Sequence, residues 1–434
     1  MKKLCCDVFI LGAGAGGFGA CYRLAQSKVK TVIADVHEGY GGTAVFSGVS
    51  CFEPGVSLDG VHRIIAEKLL QNGSGEVQRS IPSRLTFCEK KDIGEFIEPL
   101  VSGGYLWGLS VPCQDDYEST LKRCKSLCPT NKSWRRFMMD EDALTKTMSE
   151  LMEEYADYVT PLFKTRYVSC KTDGRKIKSV ILENEAEQIE VVADYFIDAS
   201  GSIVLLRDAG CQYEVGYEGD ISKVNGVSVV LRVSKDKCPP LQIPYDEDIS
   251  AWKQEKLSRV VSCFNMYPNG DININMLPTL TGKEYLELGE RAYAVGVCRA
   301  VAYWEHLQTL HPELKEYSIK KIFAAGIRED YRLLGKKVLK TEDIMQGVKP
   351  DEPYVAISDH ALDSHGIEGM PCGEMQVPYG IPLSCAQAKE FDNAFAACRG
   401  ASFSSTVASS ARLTRTMMSM GEGIARYIAK ELQK

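Results

Sequence analysis

The segment Gly12-Ala13-Gly14-Ala15-Gly16-Gly17 limits what this chain can fold into more than any other. Glycines at GxGxxG spacing follow directly on an apolar run at 6–11 (Cys-Asp-Val-Phe-Ile-Leu), which reads as a strand. They open a stretch at 15–27 in which Phe18, Cys21, Leu24 and Ala25 recur at helical spacing. A second apolar run at 30–35 completes a β-α-β unit. Each glycine then has a physical reason. Gly12 permits a tight turn, Gly14 lets a pyrophosphate approach the backbone, and Gly17 lets helix and strand pack closely. The N–H groups at the helix start, those of Ala15 and Gly16 among them, carry partial positive charge and suit phosphate. Asp35 closes the second run, 18 residues after Gly17, where an acid accepts hydrogen bonds from a ribose hydroxyl. The pattern predicts an α/β, dinucleotide-binding fold.

Composition narrows the class further. The chain has 434 residues, with 51 Lys+Arg against 58 Asp+Glu and a net charge of −7. A mildly acidic chain disfavours a nucleic-acid partner, because phosphate binding needs a basic excess. The uncharged run from Val8 to Tyr22 is too short and too glycine-rich to span a membrane. Asp7 interrupts what would otherwise resemble a signal h-region. The 16 cysteines then read as free thiols, mostly small buried hydrophobes, in a cytoplasmic protein. Cys124 and Cys128 form CxxxC, and no pair stands at metal-ligand spacing, so no metal is expected.

Further motifs separate FAD from NAD. Gly41-Gly42-Thr43-Ala44 follows Asp35 closely, and Asp198-Ala199-Ser200-Gly201 ends a short apolar run. Near the C-terminus stand Tyr379-Gly380-Ile381-Pro382, then Ala396-Ala397-Cys398-Arg399-Gly400, then Ser410-Ala411-Arg412-Leu413-Thr414-Arg415-Thr416-Met417. Ile327-Arg328-Glu329-Asp330-Tyr331-Arg332 precedes them. Together these segments resemble the FAD-dependent oxidoreductase family of two-dinucleotide-binding flavoproteins. In that family the Gly-Gly pair follows the ribose acid, an Asp-Ala-Thr-Gly strand end returns to the nucleotide, and the last helix points its N-terminus at the flavin. This chain departs in Asp35 for a usual glutamate, Ser200 for threonine and Arg415 for a proline. The resemblance implies FAD as cofactor, with contacts from Gly12, Gly14, Ala15, Gly16, Gly17, Asp35, Gly41, Gly42, Thr43, Val168, Ala199, Ser200, Gly201, Arg399, Gly400, Arg412, Arg415 and Thr416. Hydroxylase-type relatives carry Gly-Asp where this chain has Arg399-Gly400, which weighs against a monooxygenase or halogenase.

Outside the cofactor segments, three residues are candidates for catalysis. His360 lies in Asp359-His360, with His365 close by, in a chain of only 6 histidines. Histidine is the usual acid or base near neutral pH. Arg328 and Arg332, four apart if helical, would clamp a carboxylate or polar group, or else form a buried ion pair. Tyr379 offers a hydroxyl, and Cys51 follows the Gly-Gly segment.

These observations predict a discontinuous, Rossmann-type FAD domain with a parallel sheet at 1–60, 135–215 and 375–434. A β-rich substrate domain is expected at 216–374, and 61–134 is expected as an insertion near the cleft. The expected activity is hydride transfer between a small polar organic substrate and flavin N5, in either direction. An electron-transfer subunit serving a protein partner, an NAD-dependent dehydrogenase and a non-catalytic FAD-bound scaffold stay open at this point. A small molecule is the expected partner, with no membrane; a homo-oligomer is not excluded.

Overall fold

The computed structural model describes residues 1–53, 60–79, 81–82, 135–239, 241–345, 352–365, 370, 372–373, 375 and 378–434. Strand Lys2–Leu11 runs through the largest sheet. Its last four residues, Val8-Phe9-Ile10-Leu11, are all buried, as a parallel strand covered on both faces must be. Thr31–Ala34 flanks it on one side and Gln188–Asp198 on the other, both parallel, with Val8 opposite Thr31 and Tyr195. Val159–Leu162 and Ala394–Ala396 extend the parallel core. The first half of Gln188–Asp198 instead pairs with Lys176–Glu183, which pairs with Arg166–Asp173, both antiparallel, to make seven strands. Asp173 and Gly174 belong to the turn joining these last two strands, and Gly174 takes φ 56° in it.

Helix Ala15–Gln26 covers one face of the sheet and is crossed by the C-terminal helix Thr414–Glu431. Backbones meet at the crossing. A Cβ on Gly19 would lie 2.2 Å from the Met418 carbonyl oxygen, and one on Gly421 would lie 2.0 Å from the Gly16 carbonyl oxygen. Phe18, Leu24, Ile424 and Ile428 are fully buried around it, each contributing about 1.5–3 kcal/mol by leaving water. Helix Glu141–Glu153 starts at Asp140, whose side chain accepts the N–H groups of Asp142 and Ala143. It ends earlier than its apolar spacing suggests, because 154–158 form turns leading into Val159–Leu162.

A second sheet is antiparallel. Its order is Ser318–Ile322, Val230–Ser234, Ile272–Leu277, Val261–Met266 and Ile81–Pro82. Ile81–Pro82 belongs to the stretch expected as an insertion, and it forms the edge of this sheet. The region expected to be β-rich also carries a 19-residue helix, Ala292–Leu310. Its Val297, Ala300, Trp304 and Leu307 pack on Leu231, Phe264 and Ile274 of the sheet. The alternating runs that precede the helix mask its 3.6-residue period.

The two sheets are held together by buried polar contacts. Arg232 pairs with Asp271 at 2.7 Å and with Asp140 and Glu141 at 2.9 Å each, under cover of Tyr267. Asn273 donates to the Gly48 carbonyl at 2.8 Å. The second sheet is thereby fixed to the cap of helix Glu141–Glu153 and to the loop after the Gly-Gly segment. These contacts set the cleft between them.

Candidate active site

The site begins at the glycine loop. Gly12 sits at φ 102°, and a Cβ there would come within 2.4 Å of the Ala199 carbonyl oxygen. A Cβ on Gly16 would lie 1.7 Å from the Ala397 carbonyl oxygen, and one on Gly17 would lie 1.8 Å from the Gly12 carbonyl oxygen. These three glycines let neighbouring backbones touch. Gly14 differs, since a Cβ there would meet only the Gly42 Cα, at 3.6 Å. Gly14 is the N-cap of Ala15–Gln26 and supplies no side chain to the free N–H groups. The loop is thus open above an uncapped helix N-terminus, which fits a pyrophosphate.

A cleft of about 870 Å³ runs from this loop between the sheets. Gly12, Gly14, Ala15, Gly16, Asp35, Gly41, Gly42, Thr43, Ala199, Ser200, Gly201, Arg399 and Arg412 line it. At one end, Asp35 accepts the Ala13 N–H at 2.6 Å. It also accepts the His37 N–H and pairs with His37 Nδ1, both at 2.8 Å. Burial pushes the Asp35 carboxyl up, but these bonds outweigh it and hold the group below its ordinary range. His37 stacks on Phe46 at 4.1 Å. Asp198 is buried and accepts the N–H groups of Ser200 and Leu206, so it shapes the turn that presents Ser200 and Gly201. Arg399 donates to Ser202 at 3.1 Å and pairs with Asp330 at 3.2 Å.

The far end gathers titratable groups. Arg328, His360, Asp363, His365, Arg412, Cys51, Glu53, Cys263 and Asn275 line it with Ser228. His360 Nδ1 lies 2.9 Å from the Ala361 carbonyl, so the ring proton belongs on Nδ1 and Nε2 is the basic nitrogen. Burial pushes its pKa below the ordinary imidazole value, against the pull of Asp363 and Glu53. His365 Nε2 meets Asp363 at 2.7 Å, and Arg412 meets the same carboxylate at 3.3 Å. Burial would raise Asp363, yet His365 and Arg412 bring it far below the carboxylate range. Arg328 donates to the Gly226 carbonyl at 3.0 Å and to Ser228 Oγ at 2.9 Å. Burial and the neighbouring Arg412 push its pKa down to about 9.

Several expected residues stand elsewhere. Gly17 and Gly400 lie behind the lining, where Gly400 is closed in by Tyr331 and Gly201. Val168 sits at a bulge between Tyr167 and Ser169, is 38% exposed and leaves the wall to Arg166 and Tyr167. Tyr379 is fully buried and bonds Ser410 Oγ at 2.7 Å. Ser410 in turn donates to the His360 carbonyl at 2.6 Å. Thr416 is buried outside the lining. Arg415 is fully buried one layer back, 3.7 Å from Asp359 and donating to the Glu53 carbonyl at 2.9 Å. The helical spacing of Arg328 and Arg332 does not hold, because Gly326–Ile327 and Tyr331–Leu333 are strands. Arg332 turns into the core and pairs with Glu329 at 2.9 Å and Glu214 at 3.1 Å. Asp363, Glu53, Ser228, Cys263 and Asn275 carried no motif in the sequence, and only Asp363 stood near a flagged cluster. Cys124 and Cys128 lie outside the described residues.

Comparison with known proteins decides the class. The model of the family described as FAD dependent oxidoreductase matches residues 7–434. The chain belongs to that family. FAD is the family's cofactor, and this replaces the NAD-dependent alternative. A stretch of 110 residues is 27% identical to a 4-oxocyclohex-2-ene-1-carboxylate 5-dehydrogenase from Sinomonas cyclohexanicum. That stretch covers 23% of this chain and 19% of that enzyme. Among solved structures, an L-amino acid deaminase from Proteus myxofaciens is 10% identical at a TM-score of 0.46, covering 98% of this chain and 90% of that one. The flavin-dependent brominase Bmp2 is 13% identical at 0.48, covering 99% and 81%. Among the described residues, no helix is long and apolar enough to cross a membrane.

Proposed function

We propose that this family member moves a hydride between a carbon of a small polar organic molecule and flavin N5. The observation that carries the reading is one cleft with two kinds of wall. The open glycine loop with Asp35 forms one end, and His360 with Arg328, Asp363 and His365 forms the other. FAD supplies the two-electron chemistry when bound, and the protein supplies position and proton transfer. Gly14, Ala15 and Gly16 would receive the pyrophosphate on backbone N–H groups, with Gly41, Gly42 and Thr43 facing them across the loop. Asp35 would receive a ribose hydroxyl. Ser200, Gly201 and Arg399 would close the opposite side.

His360 would take or give the substrate proton at Nε2. Its depressed pKa keeps the ring neutral near neutral pH, the state a base needs. Tyr379 would act through Ser410, holding the His360 backbone rather than touching substrate. Arg415 and Thr416 belong to the start of the C-terminal helix, whose N-terminal end favours negative charge. Oxidation at a ring or chain carbon suits the reaction named for the Sinomonas dehydrogenase.

The test begins with the visible spectrum of the purified protein, before and after acid precipitation. Released flavin is expected, and anaerobic addition of substrate should bleach it. A colourless protein that FAD cannot reconstitute would end this reading. His360→Ala is expected to keep FAD and slow bleaching by about 10²–10⁴-fold. An unchanged rate would remove His360 from the proton step.

A further inference from the structure

We propose that Arg328, with Arg412 beside it, seats a single carboxylate of the substrate at the far end of the cleft. This names the substrate class for the function proposed above and rests on that reading.

Among the described residues, the fully buried arginines have a carboxylate of their own. Arg232 holds Asp140, Glu141 and Asp271, Arg332 holds Glu329 and Glu214, and Arg415 holds Asp359. Arg328 does not. It donates to a carbonyl and a hydroxyl, both neutral, and among the described residues it makes no ion pair. Arg412 shares Asp363 with His365, so one carboxylate answers two partners there. Its Nε is buried with no hydrogen-bond partner among the described residues. Glu53, the other carboxylate on this wall, accepts from Cys51 at 3.6 Å and acts on His360 and Arg412 rather than on Arg328. Arg399 and Arg415 each have a carboxylate partner, Asp330 and Asp359.

One guanidinium therefore stands in the cleft wall hydrogen-bonded to neutral groups only, and the carboxylate that acts on it from further off, Asp363, is bonded to His365 and Arg412. A planar fork of N–H donors is shaped for a carboxylate, and such pairs are commonly bidentate. The neighbours also limit the charge of the ligand. Asp363 and Glu53 would repel a second negative charge, so a phosphate dianion suits the place less well than a monoanion. Asn275 adds a polar demand. It stands opposite Cys263 on the paired strands of the second sheet, and its Oδ1 is buried without a partner among the described residues. A ligand N–H or O–H close to the carboxylate would satisfy it.

The experiment uses the full-length, FAD-loaded protein and reads shifts in flavin absorption. Acetate, butyrate, benzoate and cyclohexanecarboxylate are titrated against their matching primary amides and against inorganic phosphate. At least one acid is expected to bind about 10–100-fold tighter than its amide, the worth of one charge-assisted hydrogen bond. Arg328→Gln should remove that difference with FAD stoichiometry unchanged, and Arg328→Lys should restore part of it. The proposal is overturned if every acid binds no better than its amide, if phosphate binds tightest, or if Arg328→Gln keeps the preference. A protein that holds no FAD would sink the proposed function instead. The acid–amide comparison in the unaltered protein needs no variant to fold.

Discussion

Replacing Gly14 and Gly16 by alanine, one at a time, separates packing from cofactor contact within one loop. At Gly16 the new Cβ would lie 1.7 Å from the Ala397 carbonyl oxygen, where 3.4 Å is the start of ordinary contact. The backbones must part by 3.4 − 1.7 = 1.7 Å. They cannot do so by swinging a side chain, since the obstacle is main chain at the end of Ala394–Ala396. Overpacking of this kind costs about 1–3 kcal/mol, and a backbone clash belongs at the top of that range. The FAD-free protein should then melt roughly 2–4 °C lower. At Gly14 the new Cβ would meet only Gly42 Cα at 3.6 Å, and φ is −71°, which alanine accepts. Its stability should change by less than about 1 kcal/mol. FAD affinity should instead fall about 10–100-fold, because the methyl group occupies the face the pyrophosphate approaches. Thermal scans of FAD-free protein and a flavin-fluorescence titration measure the two quantities. The reasoning fails if Gly14→Ala lowers the melting temperature as far as Gly16→Ala, or binds FAD as tightly as the unaltered protein.

Other perturbations follow from single contacts. Arg332→Gln strips a fully buried guanidinium from Glu329 and Glu214, and from the carbonyls of Phe403 and Gly216. It should cost about 3–5 kcal/mol in a denaturant titration, and a loss below about 1 kcal/mol would deny the network its supporting role. Asp35 is held below its ordinary pKa, so its contribution is complete above 3.8 and is lost as pH falls through the depressed value. Asp35→Asn should flatten the acid-side loss of folding stability in denaturant titrations of the FAD-free protein, and an unchanged acid profile would count against it. His360 is depressed from 6.5, so the flavin reduction rate should be level from neutral pH upward and fall only below that value. A fall beginning above it would assign the proton step to another group.

The glycine loop proposed to hold the cofactor was legible in the sequence because its shape is set by the backbone. Only glycine tolerates φ 102° at Gly12 and the close approaches at Gly16 and Gly17, and all of them fall within one β-α-β unit. Spacing along the chain then equals position in space. The substrate half has no such economy. Ser228, Cys263, Asn275 and Arg328 come together through antiparallel pairing between strands far apart in sequence. No local pattern records that pairing. Arg328 and Arg332, which the sequence leaves as either a shared helical face or a buried ion pair, show the consequence. In extended chain the first faces the cleft, while the second is buried with Glu329.

Arg415 and Arg328 show how burial separates support from binding once the fold is known. Arg415 lies in a helix whose residues are buried without interruption from Arg415 to Ala425. A charge enclosed on every side must find its counter-charge within the protein, and Asp359 supplies it with both side chains fully buried. Such an arginine needs no ligand to explain it. Arg328 is the opposite case, a cleft-lining charge that donates hydrogen bonds to a carbonyl and a hydroxyl. Neutral acceptors relieve part of the desolvation, and the nearby Asp363, already bonded to His365 and Arg412, acts on Arg328 without forming an ion pair with it. A fold that pairs Arg232, Arg332 and Arg415 so fully, yet lines the cleft with an Arg328 that has no ion pair of its own among the described residues, is what supports the proposed carboxylate seat on the same wall as His360.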